Sequence, residues 1–254
     1  MKLGPALAHA AAIAAMVALA PAAALADEDA DMSVSDCGAP RRLDGIDVSK
    51  WQGEIDWRRV HKAGIVFAFV RLADGLDADD RFRENWKATR HAHVRRGAYQ
   101  YFRASEDGKQ QADFALKMLR HAGHADLPLV ADVETDDGQP REVVQAELQK
   151  WLARVEKRLH VRPLVYLSPK LGGAMLDGRF GRWPLWVAHY EVDCPTLPDG
   201  WERWTFWQHA KTGRVDGING DVDLDHFAGT KKELRRLGRH RHRHASSDET
   251  RDSR

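Results

Sequence analysis

The sequence of 254 residues has little net charge, only two cysteines and hardly any long apolar run. Its 39 Lys and Arg against 38 Asp and Glu give a formal charge of +1, which argues against a protein whose whole surface binds nucleic acid. The two cysteines do not form a metal-binding spacing. No glycine-rich phosphate loop follows a predicted strand, which weighs against nucleotide binding. What is present is a composition that is 43% hydrophobic, enough to bury a core.

The N-terminus is typical of an export signal. Lys2 precedes an Ala-rich apolar run over 10–20, and Ala24-Leu25-Ala26 is a small-x-small cleavage site. The run is too short and too weakly apolar for a membrane-spanning helix, although an uncleaved anchor is the alternative. We therefore expect a signal peptide over 1–26 and a soluble mature protein, periplasmic or extracellular, without membrane contact.

The two cysteines fit that destination. Cys37 precedes the first predicted strand, and Cys194 lies in a predicted loop near the C-terminal third. In an oxidising compartment such a pair usually forms a disulfide, so we predict a Cys37–Cys194 bridge.

Composition divides the mature chain into three parts. Residues 27–42 are acidic and then rich in Pro and Arg, which predicts a flexible lead. Residues 43–230 carry the predicted helices and strands. Residues 231–254 hold nine Lys and Arg against four Asp and Glu and include an alternating Arg/His run over 239–244. Such runs usually stay solvated, so a disordered basic tail is predicted.

The middle part alternates strand-like and helix-like segments. Predicted strands, rich in β-branched and aromatic residues, cover 45–49, 65–72, 97–102, 127–134, 163–167, 185–190 and 205–209, with 222–227 as a possible eighth. Helical periodicity covers 80–95, 109–121 and 141–159. The last two strands leave no room for a full helix between them. This predicts an α/β fold, an irregular TIM-like (β/α) barrel of eight strands, with an open doubly wound sheet as the alternative.

The segment 127–134 carries the most informative pair of acids. Period-two geometry places Asp132 and Glu134 on the same face, at the end of a buried parallel strand where barrel active sites lie. The neighbouring charge and partial burial raise the pKa of one carboxyl, which supplies the proton that glycoside cleavage needs. The similar Asp77-x-Asp79 lies in a polar loop, and we expect no function for it.

Two further clusters contain acids at alternate positions. Asp47 and Ser49 share one face of the first predicted strand, although capping the following turn is an alternative role for Asp47. Asp221, Asp223 and Asp225 alternate near the last strand. The closing Glu and flanking helices of a calcium loop are missing there, so no metal is predicted.

Together these clusters resemble the family 25 glycoside hydrolases, the lysozymes also called N-acetylmuramidases. The resemblance extends from about residue 43 to residue 227 and rests on seven motifs in family order. These are GIDVSKWQGEIDW, GAYQYF, PLVADVE, PLVYLS, PLWVAHY, WTFWQH and GINGDVDLDHF. It implies an irregular eight-stranded (β/α) barrel that needs no cofactor. It also implies cleavage of the β-1,4 bond between N-acetylmuramic acid and N-acetylglucosamine in peptidoglycan.

The resemblance assigns roles to four acids. Glu134 matches the general acid, and Asp132 matches the partner that stabilises the positive intermediate by orienting the acetamido group of the substrate. Asp47 and Asp223 match the other two acids of the site. The sugar contacts that it implies are Tyr99, Tyr101, Tyr166, Trp186, Tyr190 and Gln208, with core packing as the alternative for each.

Two positions depart from the family pattern. Gln100 stands where His is common and Asp225 stands where Asn is common, which affects the expected fine specificity rather than the reaction. No repeated wall-binding module is appended, and the basic tail could bind anionic wall polymers instead, more strongly as its histidines protonate. A solvated tail without a ligand, and metal capture by its histidines, are the alternatives.

Two other functions are compatible with parts of the pattern. A peptidoglycan-binding module could keep the fold without activity, although all four acids are present. A chitinase-like barrel also ends a strand in Asp-x-Glu, but Leu129 and Val130 stand where its upstream acids belong. We therefore predict an exported, retaining muramidase that acts as a monomer.

Overall fold

The structure is a computed structural model that describes Met1 and residues 42–238. The predicted signal over 1–26, Cys37 and the Arg/His run over 239–244 lie outside the described residues. Within residues 42–238, no helix is both long and apolar enough to cross a membrane.

A closed barrel of eight strands forms the centre of the described chain. It closes because β1 pairs with β2 on one side and with β9 on the other, and the sheet order is β1-β9-β8-β7-β6-β5-β4-β2-β3. The short β3 only extends β2. The strands are β1 (Arg42–Val48), β2 (Phe67–Asp74), β3 (Asp77–Ala78), β4 (Arg95–Tyr101), β5 (Val130–Asp132), β6 (Leu164–Leu167), β7 (Leu185–Ala188), β8 (Phe206–Gly213) and β9 (Val222–Ala228).

The helices confirm the predicted irregular (β/α) barrel. They are α1 (Trp57–Lys62), α2 (Phe82–His91), α3 (Gly108–Ala122), α4 (Arg141–Leu159), α5 (Pro169–Met175) and α6 (Lys231–Leu237). The barrel strands from β1 to β8 run parallel, whereas β9 is antiparallel to both of its neighbours. Within residues 42–238, no helix connects β7 to β8 or β8 to β9. Because the pairing of β1 with β2 closes the sheet, the alternative of an open doubly wound sheet is wrong.

Alternating side chains fill two layers, one inside the barrel and one beneath the helices. On β1, Asp47 faces the interior, whereas Ile46 and Val48 pack in the outer layer, as the strand period predicts. The interior contains Phe67, Phe69, Tyr99, Tyr166, Trp186, Phe206 and Phe227. Gly45 makes room for one of these rings, because a Cβ at that position would lie 2.2 Å from the Phe67 ring.

Two predicted strands are shorter than expected. β5 has three residues, fewer than the predicted segment 127–134. Near the start of that segment, Pro128 has no N–H to donate to a neighbouring strand. Val133 still donates its N–H to the Tyr166 carbonyl at 2.9 Å, so Glu134 lies at the rim of the barrel. β7 ends at Ala188, and Tyr190 therefore lies in the loop that follows.

The predicted disordered tail is wrong for its first residues, because 231–237 form α6. Thr230 and Glu233 form a capping box at the start of this helix, and Leu234 is fully buried. Leu234 packs with the interior aromatic residues, so an apolar contact orders a segment whose charge favours solvation.

Candidate active site

A cleft of about 410 Å³ opens at the carboxyl ends of the barrel strands. It collects the four acids and the six sugar-contact candidates predicted from the sequence. Their common location follows from the topology, because parallel strands of a barrel end on the same face. The predicted residues that line it are Asp47, Tyr99, Tyr101, Asp132, Glu134, Tyr166, Trp186, Tyr190, Gln208 and Asp223.

The carboxyl groups of Asp132 and Glu134 lie side by side in this cleft. Asp132 is the last residue of β5 and is 4% exposed, whereas Glu134 at the rim is solvent-accessible. Val133 between them is buried in the outer layer, so the two acids point to the same side. The charge of Glu134 acts directly on the Asp132 carboxyl group, because the two side chains share one side of the strand.

The electrostatics of this pair favour a retained proton. Burial raises the pKa of Asp132, and the charge of Glu134 raises it further. Burial also raises the pKa of Glu134, while the positive charges of Arg71 and Arg103 oppose that rise. Since two close carboxylates do not both ionise readily, the pair titrates as one coupled unit that keeps a proton above the usual carboxyl range.

A hydrogen-bond network fixes the floor of the cleft. The Gln208 amide donates to Asp47 Oδ2 at 2.6 Å, and Gln208 Oε1 accepts from the Tyr166 hydroxyl at 2.7 Å and from the Tyr190 hydroxyl. The neighbouring charge of Asp225 raises the pKa of Asp47 beyond the effect of burial. The network therefore defines which atom of Gln208 is the donor and holds Asp47 in place.

Asp223 is the fourth acid and is half-buried at the cleft wall. It lies opposite Asp47 in the β1–β9 ladder. Burial and the charge of Glu134 raise the pKa of Asp223 to about 6, and Lys211 opposes that rise. The four acids thus share one field, in which ionisation of one disfavours that of the others.

The sugar-contact candidates differ in accessibility. Trp186 is 1% exposed, stacks on Phe69 with ring centroids 4.5 Å apart, and donates its indole N–H to Asp225 Oδ1 at 2.9 Å. Trp186 therefore packs in the floor of the cleft, and its ring has no open face on which a sugar could stack. Tyr101 and Tyr190 are partly exposed, and their hydroxyl groups have pKa values raised to about 12 by burial, so both remain neutral donors.

Sequence reasoning missed an ion pair in the cleft wall. Arg71 Nε lies 2.8 Å from Asp79 Oδ2, and the Asp79 side chain is 1% exposed. Asp79 therefore has a structural role that the Asp77-x-Asp79 pattern does not indicate, since it holds the guanidinium of Arg71, which lines the same cleft as Asp132 and Glu134. The available signal was Arg71 itself, a charge inside an otherwise apolar predicted strand.

The two departures from the family pattern have different locations. Gln100 is fully buried outside the cleft lining, where it donates to the Gly75 carbonyl at 2.7 Å and accepts from the Trp151 indole at 2.7 Å. Its effect is structural. Asp225 instead belongs to the floor of the site, next to Asp47. No cluster of His, Cys, Asp and Glu suited to a metal ion occurs in the described part of the chain.

Asp225→Asn should stabilise the folded protein at neutral pH. Asp225 is 1% exposed, and burial together with Asp223 raises its pKa well above the ordinary value. A raised folded-state pKa weakens folding as pH rises from the unfolded pKa towards the folded one, and an amide removes this loss. The amide oxygen can still accept from Trp186. We expect a gain of at least about 1 kcal/mol at pH 7.5 and almost none near pH 4, since one pKa unit corresponds to about 1.4 kcal/mol.

Urea unfolding of both proteins at the two pH values measures this difference. Burial lowers the pKa of His209 to about 4 and also lowers that of His226, which destabilises the protein in acid, but this effect is common to both proteins and cancels. The exposed Asp221→Asn is the control and should change little. A loss of stability in Asp225→Asn that is equal at both pH values would contradict the expected effect.

Comparison with known proteins agrees with this geometry. Residues 46–218 match the sequence profile of the glycosyl hydrolases family 25. The protein YegX of Escherichia coli is 39% identical over 198 residues, which cover 76% of this chain and 72% of YegX. Lysozyme M1 of Streptomyces globisporus is 34% identical over 208 residues, which cover 76% of this chain and 70% of that enzyme.

A solved structure extends the likeness to the fold. The bacterial lysozyme from Streptomyces coelicolor matches with a TM-score of 0.72 at 32% identity, covering 77% of this chain and 96% of that one. Sequence and fold thus lead to the same assignment, and the chain belongs to the glycosyl hydrolases of family 25.

Proposed function

We propose that this glycoside hydrolase is a lysozyme that cleaves the β-1,4 bond between N-acetylmuramic acid and N-acetylglucosamine in peptidoglycan. The observation that carries the proposal is the adjacent Asp132 and Glu134 pair, with Asp47 and Asp223 in the same cleft. The names of the related lysozymes support the substrate class.

Glu134 is the proposed general acid because it is the solvent-accessible member of the pair and has a raised pKa. It donates a proton to the glycosidic oxygen while the bond from that oxygen to C1 breaks. Ionised Glu134 then takes a proton from the water that attacks C1, which restores the starting state.

Asp132 is the proposed partner of the substrate acetamido group. Its side chain lines the cleft, and a carboxylate can accept a hydrogen bond from the acetamido N–H. That contact favours the ionised form of Asp132, which leaves the shared proton on Glu134. The acetamido oxygen then attacks C1, and the Asp132 carboxylate stabilises the positive charge of the cyclic intermediate.

This course predicts retention of the anomeric configuration. Asp132 and Glu134 stand two residues apart on one strand face, which is too close to admit the attacking water that inversion by this pair would require. Proton NMR of the first-formed anomer tests the assignment, and a β product is expected. Clearing of a suspension of purified walls tests the activity itself, because a non-catalytic binding module would leave its turbidity unchanged.

Export is a separate part of the proposal. The sequence pattern over 1–26, which predicts an export signal, supports it, and a Cys37–Cys194 disulfide would fit the oxidising destination. Cys194 lies in an exposed segment between β7 and β8. Peptide mapping under non-reducing conditions should recover the two cysteines in one linked peptide, whereas two free thiols would exclude the bridge.

The Arg/His run is proposed to bind anionic wall polymers. The positive charge of its arginines supports this, and protonation of its histidines strengthens the attraction in acid. Deletion of residues 239–254 should reduce sedimentation with cell walls more at pH 5.5 than at pH 7.5. Unchanged sedimentation would exclude the tail as a wall tether.

A further inference from the structure

Trp51 is an unusually exposed aromatic residue at the edge of the cleft. Its side chain is 77% exposed, more than any other large hydrophobic residue in 42–238, and it lines the same cleft as the four acids. A single exposed apolar residue needs no explanation, but an indole beside a sugar-sized cleft presents a flat apolar surface to whatever enters.

Hydrogen bonds within the turn hold the backbone of Trp51 in place. Ser49 and Gln52 form a capping box around the turn Lys50–Gln52, in which Ser49 N–H donates to Gln52 Oε1 at 2.8 Å and Trp51 N–H donates to Ser49 Oγ at 3.3 Å. The Gln52 amide also donates to the Asp221 carbonyl at 3.5 Å. Because the backbone is already fixed, only the indole side chain has to be ordered when a ligand stacks on it.

Asp79 connects this turn to the wall of the cleft. Its Oδ2 accepts from the Lys50 backbone N–H at 3.0 Å and from Arg71 Nε at 2.8 Å. Arg71 faces the catalytic pair, so one buried carboxylate positions both the turn that carries Trp51 and the cation of the cleft wall.

The strand order separates Trp51 from the site of bond cleavage. Trp51 follows β1 and Glu134 follows β5, and the neighbouring strands β2 and β4 lie between them. Trp51 therefore occupies another part of the rim from Glu134. The Lys50 ammonium lies 5.4 Å from the indole centroid and still leaves most of the ring exposed.

We propose that Trp51 is a stacking platform for an N-acetylated pyranose ring of the glycan strand, beyond the two sugars that flank the cleaved bond. This inference rests on the proposed function. The apolar face of a pyranose packs on the open face of the indole, and longer glycan chains gain a contact that short ones lack. Asp79 is a positioning residue for this platform.

Chain-length dependence separates this role from a structural one. In Trp51→Ala, KM for long soluble glycan chains should rise about five- to tenfold, with a smaller change in kcat and almost no change for the shortest cleaved oligomer. Trp51→Phe should recover much of the loss. Val143→Ala, at an exposed position on α4, is the control and should match the wild type, and urea midpoints should be equal for all.

Calorimetric titration with the same long chains measures binding without turnover. In the Glu134→Gln background, adding Trp51→Ala should weaken affinity by a similar factor. Equal affinity with and without the indole, or an equal loss for short and long chains, would overturn the platform. Failure of the wild type to cleave the chains would reject the proposed function, while the titration would still decide whether Trp51 binds glycan.

Discussion

Glu134→Gln should lower the rate of glycan hydrolysis by about 10²- to 10⁴-fold, the contribution of a positioned general acid. The glutamine amide has nearly the shape of the acid but no proton to give to the leaving oxygen. Because Glu134 is solvent-accessible at the rim and its pKa is raised, exchange for a neutral amide should not lower the free energy of unfolding at neutral pH.

Release of reducing ends from soluble glycan, measured at several pH values, gives the rate. Glu142→Gln is the matched control, since it makes the same exchange at an exposed position in the first turn of α4. A Glu134→Gln protein that keeps more than a tenth of the wild-type rate would show that another group supplies the proton.

Asp132→Asn should reduce activity by a comparable factor and should not destabilise the protein at neutral pH. The exchange removes the buried negative charge that stabilises the positive intermediate. Burial and Glu134 raise the pKa of Asp132, so its ionisation opposes folding, and a neutral amide of similar shape removes that opposition. Loss of function with equal or greater stability is the behaviour of a site built for chemistry.

Lost activity together with retained stability in Asp132→Asn distinguishes a chemical role of this residue from a structural one. Initial rates on soluble glycan and urea unfolding at pH 7.5 are the two measurements, and the exposed Asp221→Asn serves as the control for both. A large fall in unfolding free energy that accompanies the lost activity would mean that Asp132 holds the barrel together, and the assigned role would be wrong.

Much of the barrel could be predicted from local patterns. Short β-branched and aromatic segments identify the eight barrel strands, and the apolar stripe over 141–159 coincides with α4. The missed α6 shows the limit of composition. Residues 231–237 are charged enough to stay in solvent, and composition does not indicate the long-range burial of Leu234 that fixes them against the barrel.

The candidate site shows the same division between local and long-range information. Two acids on one strand face follow from period-two geometry, so Asp132 and Glu134 could be placed together from the sequence. The bond between Gln208 and Asp47 joins residues 161 positions apart, and the role of Asp79 depends on contacts with Arg71 and Lys50 in other elements. No local pattern contains these pairings.

The identity of the cleaved bond tests the central claim most directly. Purified peptidoglycan is digested with the wild-type protein, the new reducing ends are reduced with borohydride, and the soluble products are analysed by mass spectrometry. The proposed chemistry at Glu134 and Asp132 predicts reduced N-acetylmuramic acid at the new ends, with none from Glu134→Gln. Reduced N-acetylglucosamine at those ends, or no soluble product from the wild type, would contradict it.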